Sequence, residues 1–487
     1  KETQFIEILT GAFNDIFNSK YYPEGWATSI IQPIYKGKGS TASPDSFRGI
    51  ALLPALNKIY CRILYERIKT WTKEYDLLSE FQSGFREGRG TIDNIFILDT
   101  LRSKELSVKG GKLHCAFIDF RKAFDTVERE ALWYKLWCLG MSSKLIRALQ
   151  GVYDKVEFCV KYDNYRVSGN VTSHRGVKQG CILSPILFNL FINDIVAIMV
   201  REGIEPPMVG DFSVPALLYA DDLILCSKTV SGLQRGLDRL EIYCREWGLT
   251  VNAEKTKVMT FKNGYVYGKN ESWSYAGQPL DKVKSFVYLG LTLTMTGKWN
   301  QHIERTKHKA RIKATETLKI RSRIPDISTS ILTKVYNAVV RSTLSYGAEI
   351  WGWDNTKDLN QIQTYFLKCL TGVGRSTANS GILKEFGTYR DSVDFKIKTL
   401  KYYLRILHGN QSLIKAACYR EQRRLGAQNC WLGVLQKGLD EIGMGFILHE
   451  GEVVRKNVWR KVKKRLIDIN RQEIEGDCRE KITLEIQ

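Results

Sequence analysis

The stretch Leu217-Leu-Tyr-Ala-Asp-Asp-Leu-Ile-Leu225 places two adjacent carboxylates, Asp221 and Asp222, between two short apolar runs. Aspartate is a poor strand former and is rarely buried without a partner. An Asp-Asp pair in these surroundings therefore calls for a compensating positive charge, which a metal ion supplies most directly. Taken alone, such a pair is more often a turn device, because Asp tolerates turn geometry and bonds its own backbone.

A second carboxylate in similar surroundings lies upstream, where Asp119 ends the apolar, strand-like run Leu113-His-Cys-Ala-Phe-Ile-Asp119. Alone, Asp119 would fit the capping residue of a strand equally well. Two strands laid side by side would bring Asp119 against the Asp221-Asp222 turn. The result would be an oxygen-rich site for two Mg²⁺ ions roughly 3.5–4 Å apart, which is the arrangement used for phosphoryl transfer by in-line displacement.

Further motifs give these carboxylates a context. Five segments resemble, in order, the palm motifs of reverse transcriptases: residues 117–126 (FIDFRKAFDT), 176–185 (GVKQGCILSP), 219–222 (YADD), 248–256 (GLTVNAEKT) and 288–290 (YLG). Residues 46–54 (SFRGIALLP) and 82–91 (QSGFREGRGT) resemble fingers motifs of the non-LTR, or long interspersed element (LINE), retrotransposon branch. YADD alone is a weak signal, whereas five motifs in this order and spacing are specific. The resemblance covers roughly residues 25–400.

The resemblance implies an α+β fold of the right-hand polymerase type, with fingers, a palm built on an antiparallel sheet, and a helical thumb. It divides the chain into fingers and an N-terminal extension (1–108), a palm with a fingers insert (109–265), a palm–thumb junction (266–299), a helical thumb (300–400) and a basic helical C-terminal region (401–487). Residues 301–326 carry eight Lys and Arg against three acids, which suits a thumb that grips a duplex backbone without reading sequence.

The pattern of apolar residues predicts individual elements around the carboxylates. Strands are expected at 115–120 and in a hairpin at 216–226, with a further hairpin at 156–171. Helices are expected at 129–138, at 144–153, from Pro185 to about Val200, and at 232–247, where Gly248 is the stop signal. Such a mixture of strands and helices is typical of an α+β fold and not of an alternating parallel barrel.

The resemblance assigns roles residue by residue. It implies that Asp119, Asp221 and Asp222 are catalytic and that, with Phe120, they hold two Mg²⁺ ions, for which Mn²⁺ is a possible substitute. The residues implied to bind the dNTP are Arg48, Arg86, Phe124, Gln179, Gly180 and Lys255. The bulk of Phe124 would exclude a 2′-hydroxyl, and Lys255 would act as general acid or as a charge clamp on the leaving pyrophosphate. The residues implied to contact nucleic acid are Tyr219, Tyr288, Leu289 and Gly290.

Composition is compatible with this interpretation. The 487 residues are 44% hydrophobic and carry a net charge of +21, which suits a polyanionic partner but also an ordinary basic soluble protein. The eleven cysteines show no ligand spacing, so neither a zinc site nor a disulfide framework is predicted. The apolar stretch 181–200 contains Pro185, Asn189, Asn193 and Asp194, and no membrane span is expected there. The chain begins with Lys1, which suggests a piece of a longer polyprotein.

The function predicted from the sequence is RNA-directed DNA synthesis, for target-primed retrotransposition, with an RNA template, a DNA primer or target, and dNTPs as partners. The resemblance places the protein in the nucleus and leaves its oligomeric state open. Three alternatives remain: an inactive, transposon-derived nucleic-acid-binding remnant, a group II intron-type reverse transcriptase or maturase, and a viral RNA-dependent RNA polymerase. The last would be expected to carry Gly-Asp-Asp and a small or hydrogen-bonding residue where Phe124 stands.

Overall fold

The computed structural model describes residues 2–19, 21–37, 39–163, 167–264, 266–268, 270–353, 356–411, 413–426, 430–449 and 457–486. Up to residue 160 the chain forms, in order, α1 (Glu2–Asn18), α2 (Glu24–Ala27), β1 (Thr28–Tyr35), β2 (Phe47–Leu52), α3 (Ala55–Glu74), α4 (Thr91–Ser107), β3 (Leu113–Ile118), α5 (Arg129–Cys138), α6 (Ser143–Asp154) and β4 (Glu157–Val160).

The middle of the chain contains most of the strands. Its elements are β5 (Val171–Thr172), α7 (Leu183–Phe191), α8 (Ile195–Arg201), β6 (Met208–Val209), β7 (Phe212–Ser213), β8 (Ala216–Tyr219), β9 (Asp222–Ser227), α9 (Val230–Glu246), β10 (Lys257–Phe261), β11 (Ser274–Tyr275), β12 (Gln278–Pro279), β13 (Asp281–Lys282), β14 (Ser285–Tyr288) and β15 (Leu291–Thr294).

The rest of the described chain is helical. Its helices are α10 (Asn300–Arg323), α11 (Thr329–Val335), α12 (Ser342–Leu344), α13 (Ala348–Trp351), α14 (Asn360–Thr371), α15 (Asn379–Glu385), α16 (Ser392–Leu407), α17 (Ile414–Leu425), α18 (Trp431–Asp440), α19 (Phe446–His449) and α20 (Val458–Ile486).

The central sheet has five strands in the order β13-β10-β3-β9-β8. Its middle strand, β3, runs antiparallel to both neighbours, and its last residue, Ile118, pairs with Leu223 of β9. Every residue of β3 is buried, as expected for an apolar strand covered on both faces. The palm sheet of the predicted α+β right-hand fold is therefore present, antiparallel except where β13 pairs with β10, and the fold class is confirmed.

Alternation along the strands separates two hydrophobic cores. Phe117, Leu217 and Ile224 face α4 and the helices after residue 300, and belong to one core. Their neighbours Ile118 and Leu223 face α5, α6, α7 and α9, and belong to the other. The sheet that ends in the acidic residues is thus supported from both sides, which makes its strand ends a rigid platform.

Most of the predicted elements are found with small shifts of their ends. The helix predicted to open at Pro185 begins two positions earlier, at Leu183, and is interrupted between Phe191 and Ile195. The stretch Leu183–Arg201 is long and apolar enough to cross a membrane, yet 67% of it is buried inside the protein. Its acidic residue Asp194 has a partner there, because Lys135 Nζ donates a hydrogen bond to the Asp194 carboxylate at 2.8 Å. The stretch therefore serves as core. Of the hairpin predicted at 156–171, residues 164–166 lie outside the described part.

The boundary predicted between the palm–thumb junction and the thumb coincides with the first residue of α10. The predicted end of the thumb at residue 400 falls inside α16, which continues without interruption to Leu407. Side chains on both sides of that boundary share a single core, and the division into domains stays a prediction. Within the predicted C-terminal region, residues 455–465 hold seven Lys and Arg and no acid, and the first two of these basic residues lie outside the described part of the chain.

Candidate active site

Asp119 follows directly after β3, at the end of the central strand. Its backbone N–H donates to Thr256 Oγ1 at 3.2 Å, and its carbonyl accepts from the N–H of Asn252 at 2.7 Å. Both partners belong to the motif at residues 248–256. One structural role of that motif is therefore to anchor the strand end that carries the acid.

Asp221 and Asp222 lie at the tip of the β8–β9 hairpin. Tyr219 pairs with Asp222 across the hairpin, so Ala220 and Asp221 form a two-residue turn. Because Ile118 pairs with Leu223 one step earlier in the register, the strand pairing sets Asp119 beside Asp222. The structure thus brings together the three carboxylates that the sequence singled out.

The three carboxylates repel one another. Desolvation by the surrounding protein, followed by the charges of Asp221 and Asp119, raises the pKa of Asp222 from 3.8 to about 6. Burial also raises the pKa of Asp221, and the charge of Asp119 adds to the effect while the Arg48 guanidinium opposes it. The strand ends therefore carry an excess of negative charge that a bound cation would relieve.

Phe120 can contribute to such a site only through its backbone carbonyl, because its hydrocarbon side chain is buried. Phe120 forms an antiparallel bridge with Val251. The two hydrogen bonds of this bridge run from Arg121 N–H to the Thr250 carbonyl and from Asn252 N–H to the Asp119 carbonyl, so the backbone groups of Phe120 take no part in them. In such a pair the unused carbonyl points away from the partner strand. The Phe120 carbonyl accordingly faces the side on which β9 and the acidic turn lie.

Among the described residues, no group of three or more Asp, Glu, His or Cys side chains could enclose a metal ion. The three carboxylates line one edge of the palm and do not close a cage. Mg²⁺ is commonly held by one or two carboxylates together with waters and substrate phosphates. The all-oxygen donors and the unbalanced negative charge therefore fit divalent cations that a nucleotide helps to bind.

Phe124 lies beside this platform in a fixed orientation. Its ring stacks on Phe188 with centroids 4.6 Å apart and an angle of 22° between planes. Its carbonyl accepts a hydrogen bond from Val177 N–H at 2.8 Å, at the start of the loop that leads to Gln179. A half-buried aromatic ring held in this way is suited to act as a rigid wall beside a nucleotide.

The Gln179-Gly180 loop packs against β2, the strand that carries Arg48. Ala51 N–H donates to the Gln179 carbonyl at 2.7 Å. Gly180 has φ of +108°, and a Cβ there would lie 2.8 Å from the Ala51 carbonyl oxygen. Only glycine satisfies both conditions. The structure therefore places Gln179 and Gly180 against the strand that carries Arg48.

Arg86 and Lys255 are placed differently. One guanidinium nitrogen of Arg86 donates to the carbonyls of Ser79 and Gln82, at 2.6 and 3.2 Å, and burial lowers the pKa of Arg86 to about 10. Arg86 thus helps to hold its own turn. Lys255 is exposed and lines a cavity with Phe286 and Arg305, to which none of the three carboxylates contributes. Their predicted contacts with the triphosphate stay predictions.

Tyr288 is placed inside the protein. Its side chain is 3% exposed, and its hydroxyl accepts a hydrogen bond from Asn94 Nδ2 at 3.2 Å. The ring belongs to the core between the sheet and α4. The enclosed ring gives no support to the predicted contact of Tyr288 with nucleic acid, which stays a prediction. Tyr219, by contrast, is half-buried beside Asp222, with which it pairs.

Leu289 and Gly290 form the turn of the β14–β15 hairpin, and both have positive φ, of +44° and +86°. Tyr346 Oη donates to the Leu289 carbonyl at 2.8 Å, and a Cβ on Gly290 would lie 2.7 Å from the Tyr346 ring. The turn opens onto a groove of about 640 Å³ between α10 and α12, lined by Gly290, Thr306, Lys309, Lys313, Thr343 and Tyr346 among others. Its basic side chains suit a phosphate backbone.

Three buried amides near the acidic turn were not singled out from the sequence. Asn94 Nδ2 donates to the Leu218 carbonyl at 2.9 Å, Asn189 Nδ2 donates to the Gly84 carbonyl at 2.7 Å, and Gln82 Oε1 accepts from Ala220 N–H at 3.0 Å. A signal was present, since Asn94 and Asn189 interrupt apolar runs and buried amides require partners. Tyr346, whose hydroxyl bonds the turn of the β14–β15 hairpin, gave no such signal in the sequence.

Comparison with known proteins agrees with this geometry. Residues 35–293, more than half of the chain, match the family described as reverse transcriptase (RNA-dependent DNA polymerase). The chain is 28% identical over 380 residues to the RNA-directed DNA polymerase from mobile element jockey of Drosophila melanogaster, which covers 75% of this chain and 40% of that protein. It is 30% identical over 251 residues to the Pol polyprotein from type-1 retrotransposable element R2 of Nasonia vitripennis, covering 51% of this chain and 23% of that protein.

Among solved structures, the telomerase of Candida albicans, in complex with a fragment of telomeric RNA, aligns over 82% of this chain and 67% of its own with a TM-score of 0.41 and 13% identity. The chain spans about two-fifths of the length of the jockey polymerase. The family match covers all five strands of the central sheet and all three carboxylates. This protein therefore belongs to the reverse transcriptase family, and its sequence relatives are the polymerases of mobile elements, as its motifs indicated.

Proposed function

We propose that this chain catalyses DNA synthesis on an RNA template by two-metal nucleotidyl transfer. The observation that carries the proposal is the meeting of Asp119, Asp221 and Asp222 at the ends of paired palm strands, with the pKa values of Asp221 and Asp222 raised by burial and by mutual repulsion. A site for bound cations accounts for this concentration of charge, since carboxylates are otherwise rarely grouped without partners.

In the proposed mechanism, Asp119, Asp221, Asp222 and the Phe120 carbonyl hold two divalent cations, Mg²⁺ or alternatively Mn²⁺. When bound, such ions activate the primer 3′-hydroxyl and neutralise the triphosphate. The carboxylates would fix the cations at the strand ends and so set where the primer hydroxyl and the α-phosphate could meet in line. Tyr219, beside Asp222, flanks the primer end.

The other residues position the nucleotide. Phe124 forms the wall that excludes a 2′-hydroxyl, and the Gln179-Gly180 loop covers the nascent base pair. The Arg48 guanidinium opposes the rise in the pKa of Asp221, and this nearness of a cation to the carboxylates supports a contact between Arg48 and the incoming triphosphate. In the proposal, Arg86 and Lys255 are further cationic contacts for the triphosphate. The structure gives them less support, because Arg86 bonds the backbone of its own turn and Lys255 lines a separate cavity.

The partners follow from charge and from the relatives. A net charge of +21 and the basic groove at Leu289-Gly290 support binding of a template RNA and a DNA primer through their phosphates. Because the relatives are polymerases of mobile elements, we propose that synthesis starts at a nicked chromosomal target in the nucleus. The viral RNA polymerase alternative is disfavoured by the family match and by the presence of Phe124.

Primer extension on an RNA template, with dNTPs and Mg²⁺, tests the proposal. The parent protein is expected to extend the primer. The double variant Asp221→Asn, Asp222→Asn is expected to bind the RNA but not to extend the primer. A control that neutralises two exposed acids away from the site, Asp15→Asn with Asp211→Asn, is expected to match the parent. RNA binding by all three proteins without extension by any would support the inactive remnant instead.

A further inference from the structure

The back of the acidic turn is covered by a buried glutamine. Gln82 is 1% exposed, and its Oε1 accepts two backbone hydrogen bonds, from Gly84 N–H at 2.8 Å and from Ala220 N–H at 3.0 Å. Its Nε2 also reaches the Ala220 carbonyl, at 3.5 Å. One side chain thus bonds both backbone groups of the residue that precedes Asp221.

The turn requires such support because of its backbone conformation. Ala220 has φ of +55°, a left-handed conformation that residues with a Cβ adopt only when their surroundings enforce it. Two-residue turns of this kind usually carry Gly, Asn or Asp at the position. Since alanine offers no side-chain hydrogen bond of its own, the partner groups must come from another segment.

That segment is the strand-like stretch around Gln82. Leu218 N–H donates to the Phe81 carbonyl and Ser83 N–H donates to the Leu218 carbonyl, both at 2.9 Å, so the stretch extends the sheet along the outer edge of β8. A Cβ on Gly84 would lie 2.3 Å from the Ala220 nitrogen, which shows how closely the two backbones approach. Asn189 holds Gly84 from the other side, at 2.7 Å.

We infer that Gln82 is a positioning residue for the catalytic turn: by bonding both backbone groups of Ala220 it fixes the carboxylates of Asp221 and Asp222 relative to Asp119, without touching substrate. The inference rests on the proposed polymerase function. It gives the QSG segment of residues 82–84 a role in catalysis that is separate from the cationic contact proposed for Arg86.

The consequence is expected in the chemical step. Displacement of a reacting group by about 1 Å can lower a rate about 100-fold. Loss of the Gln82 amide leaves the Ala220 N–H without its acceptor and lets the turn relax toward conformations that alanine prefers. Binding of template RNA depends on distant phosphate contacts and should change little.

The test compares Gln82→Leu with Gln363→Leu. Gln363, on α14, is a control because it is 2% exposed and its amide makes two backbone hydrogen bonds, donating to Tyr389 O at 2.9 Å and accepting from Asp391 N–H at 3.0 Å. Each variant removes a buried amide that bonds the backbone, with three bonds lost at Gln82 if the 3.5 Å contact is included and two lost at Gln363. Single-nucleotide extension gives kcat and KM for the dNTP, filter binding gives the affinity for RNA, and thermal unfolding gives Tm.

We expect kcat of Gln82→Leu to fall about 100-fold, with KM and RNA affinity within about twofold of the parent. Gln363→Leu should retain the parent kcat, although its Tm should be similar to that of Gln82→Leu. Equal kcat values for the two variants would overturn the inference. If Gln82→Leu fails to fold, Gln82→Asn, one methylene shorter, replaces it beside Gln363→Asn, and parental kcat in Gln82→Asn overturns the inference. A parent that extends no primer would instead refute the proposed function, so the two failures are distinguishable.

Discussion

Lys415 Nζ lies 3.3 Å from Oδ2 of Asp93, a carboxylate that is 1% exposed at the start of α4. The same carboxylate accepts hydrogen bonds from Tyr402 Oη and from Arg405 Nη2, both at 3.0 Å. Asp93 also caps its own helix by accepting from Gly90 N–H at 2.9 Å. Residues beyond 400 are thus bonded to Asp93 of α4. The next residue of that helix, Asn94, bonds the Leu218 carbonyl of β8. The C-terminal region is part of the polymerase fold.

This relationship predicts a large stability loss for Asp93→Ala. The substitution leaves Lys415 and Tyr402 without their buried partner, and breaking a buried ion pair typically costs about 3–5 kcal/mol. Urea unfolding measures the loss. Asp281→Ala removes the exposed partner of Lys257 and is expected to cost less than about 1 kcal/mol. Equal losses in the two variants would show that the C-terminal contact does not stabilise the fold.

The raised pKa of Asp222 predicts a pH-dependent stability difference in metal-free protein. Its pKa is about 6 in the folded chain against an ordinary value of 3.8, so the folded state binds a proton more tightly than the unfolded state. Stability should therefore fall as the pH rises through this window, and stay at the lower value above it. Asp222→Asn removes the free-energy cost of ionising this carboxyl in the folded state, so the variant should be more stable than the parent above pH 6.

Because the Asp222 side chain is partly exposed, solvent screening limits this gain to less than about 1 kcal/mol. Thermal unfolding from acid to neutral pH, in the presence of a chelator, measures it. Asp211→Asn, an exposed residue outside the cluster, should follow the parent curve. Addition of Mg²⁺ should raise the Tm of the parent more than that of Asp222→Asn. Parallel pH curves for Asp222→Asn and the parent would contradict the prediction.

Gly290→Ala should weaken primer use. A methyl group there would lie 2.7 Å from the Tyr346 ring and would push the ring away from the Leu289 carbonyl and the basic groove. Gly140→Ala is the matched control, because its φ of +87° nearly equals the +86° of Gly290 and no atom of the described residues lies within 4 Å of the added methyl. Both variants carry the left-handed strain of about 1 kcal/mol.

Only Gly290→Ala should also raise the Kd for a primer–template duplex, by about tenfold, which corresponds to about 1.4 kcal/mol of lost contact energy. Fluorescence anisotropy with a labelled duplex measures the difference. Equal affinities in the two variants would mean that Tyr346 and its turn do not touch the duplex.

Phe124→Val should relax sugar selection. Its ring is held by stacking on Phe188 at 4.6 Å, and a smaller side chain opens space for a 2′-hydroxyl. The ratio of kcat/KM for a dNTP over that for the matching ribonucleotide is expected to fall about 10–100-fold, the range typical of a steric gate of a few heavy atoms. Phe286→Val, which removes a ring stacked on Phe117 at 4.3 Å, should leave the ratio unchanged. A ratio unaffected by Phe124→Val would exclude this residue as the gate.

The sequence by itself was sufficient for part of the palm, since β10 and β13 of the central sheet were not predicted. Local hydrophobic patterning placed β3, α5, α6, β8, β9 and α9 to within a few residues, because each is a short apolar segment whose period is set by its own side chains. Acidic residues at the ends of such strands are conspicuous, and so Asp119, Asp221 and Asp222 could be paired from their positions along the chain alone.

Long-range contacts could not be obtained in this way. Nothing local to Gln82 shows that its amide bonds Ala220, nothing around Asp93 points to Lys415, and the fate of Tyr288 depends on α4 covering one face of the sheet. A sequence motif shows that a residue belongs to a site, but whether its side chain faces solvent depends on which distant segment packs against it. The order and type of β3, α5, α6, β8, β9 and α9 were therefore determined by the sequence, through local periodicity. The support of the catalytic turn, the burial of Tyr288 and the joining of the C-terminal helices to α4 were decided only by tertiary packing, because hydrogen-bond partners and burial are properties of segments far apart in the chain.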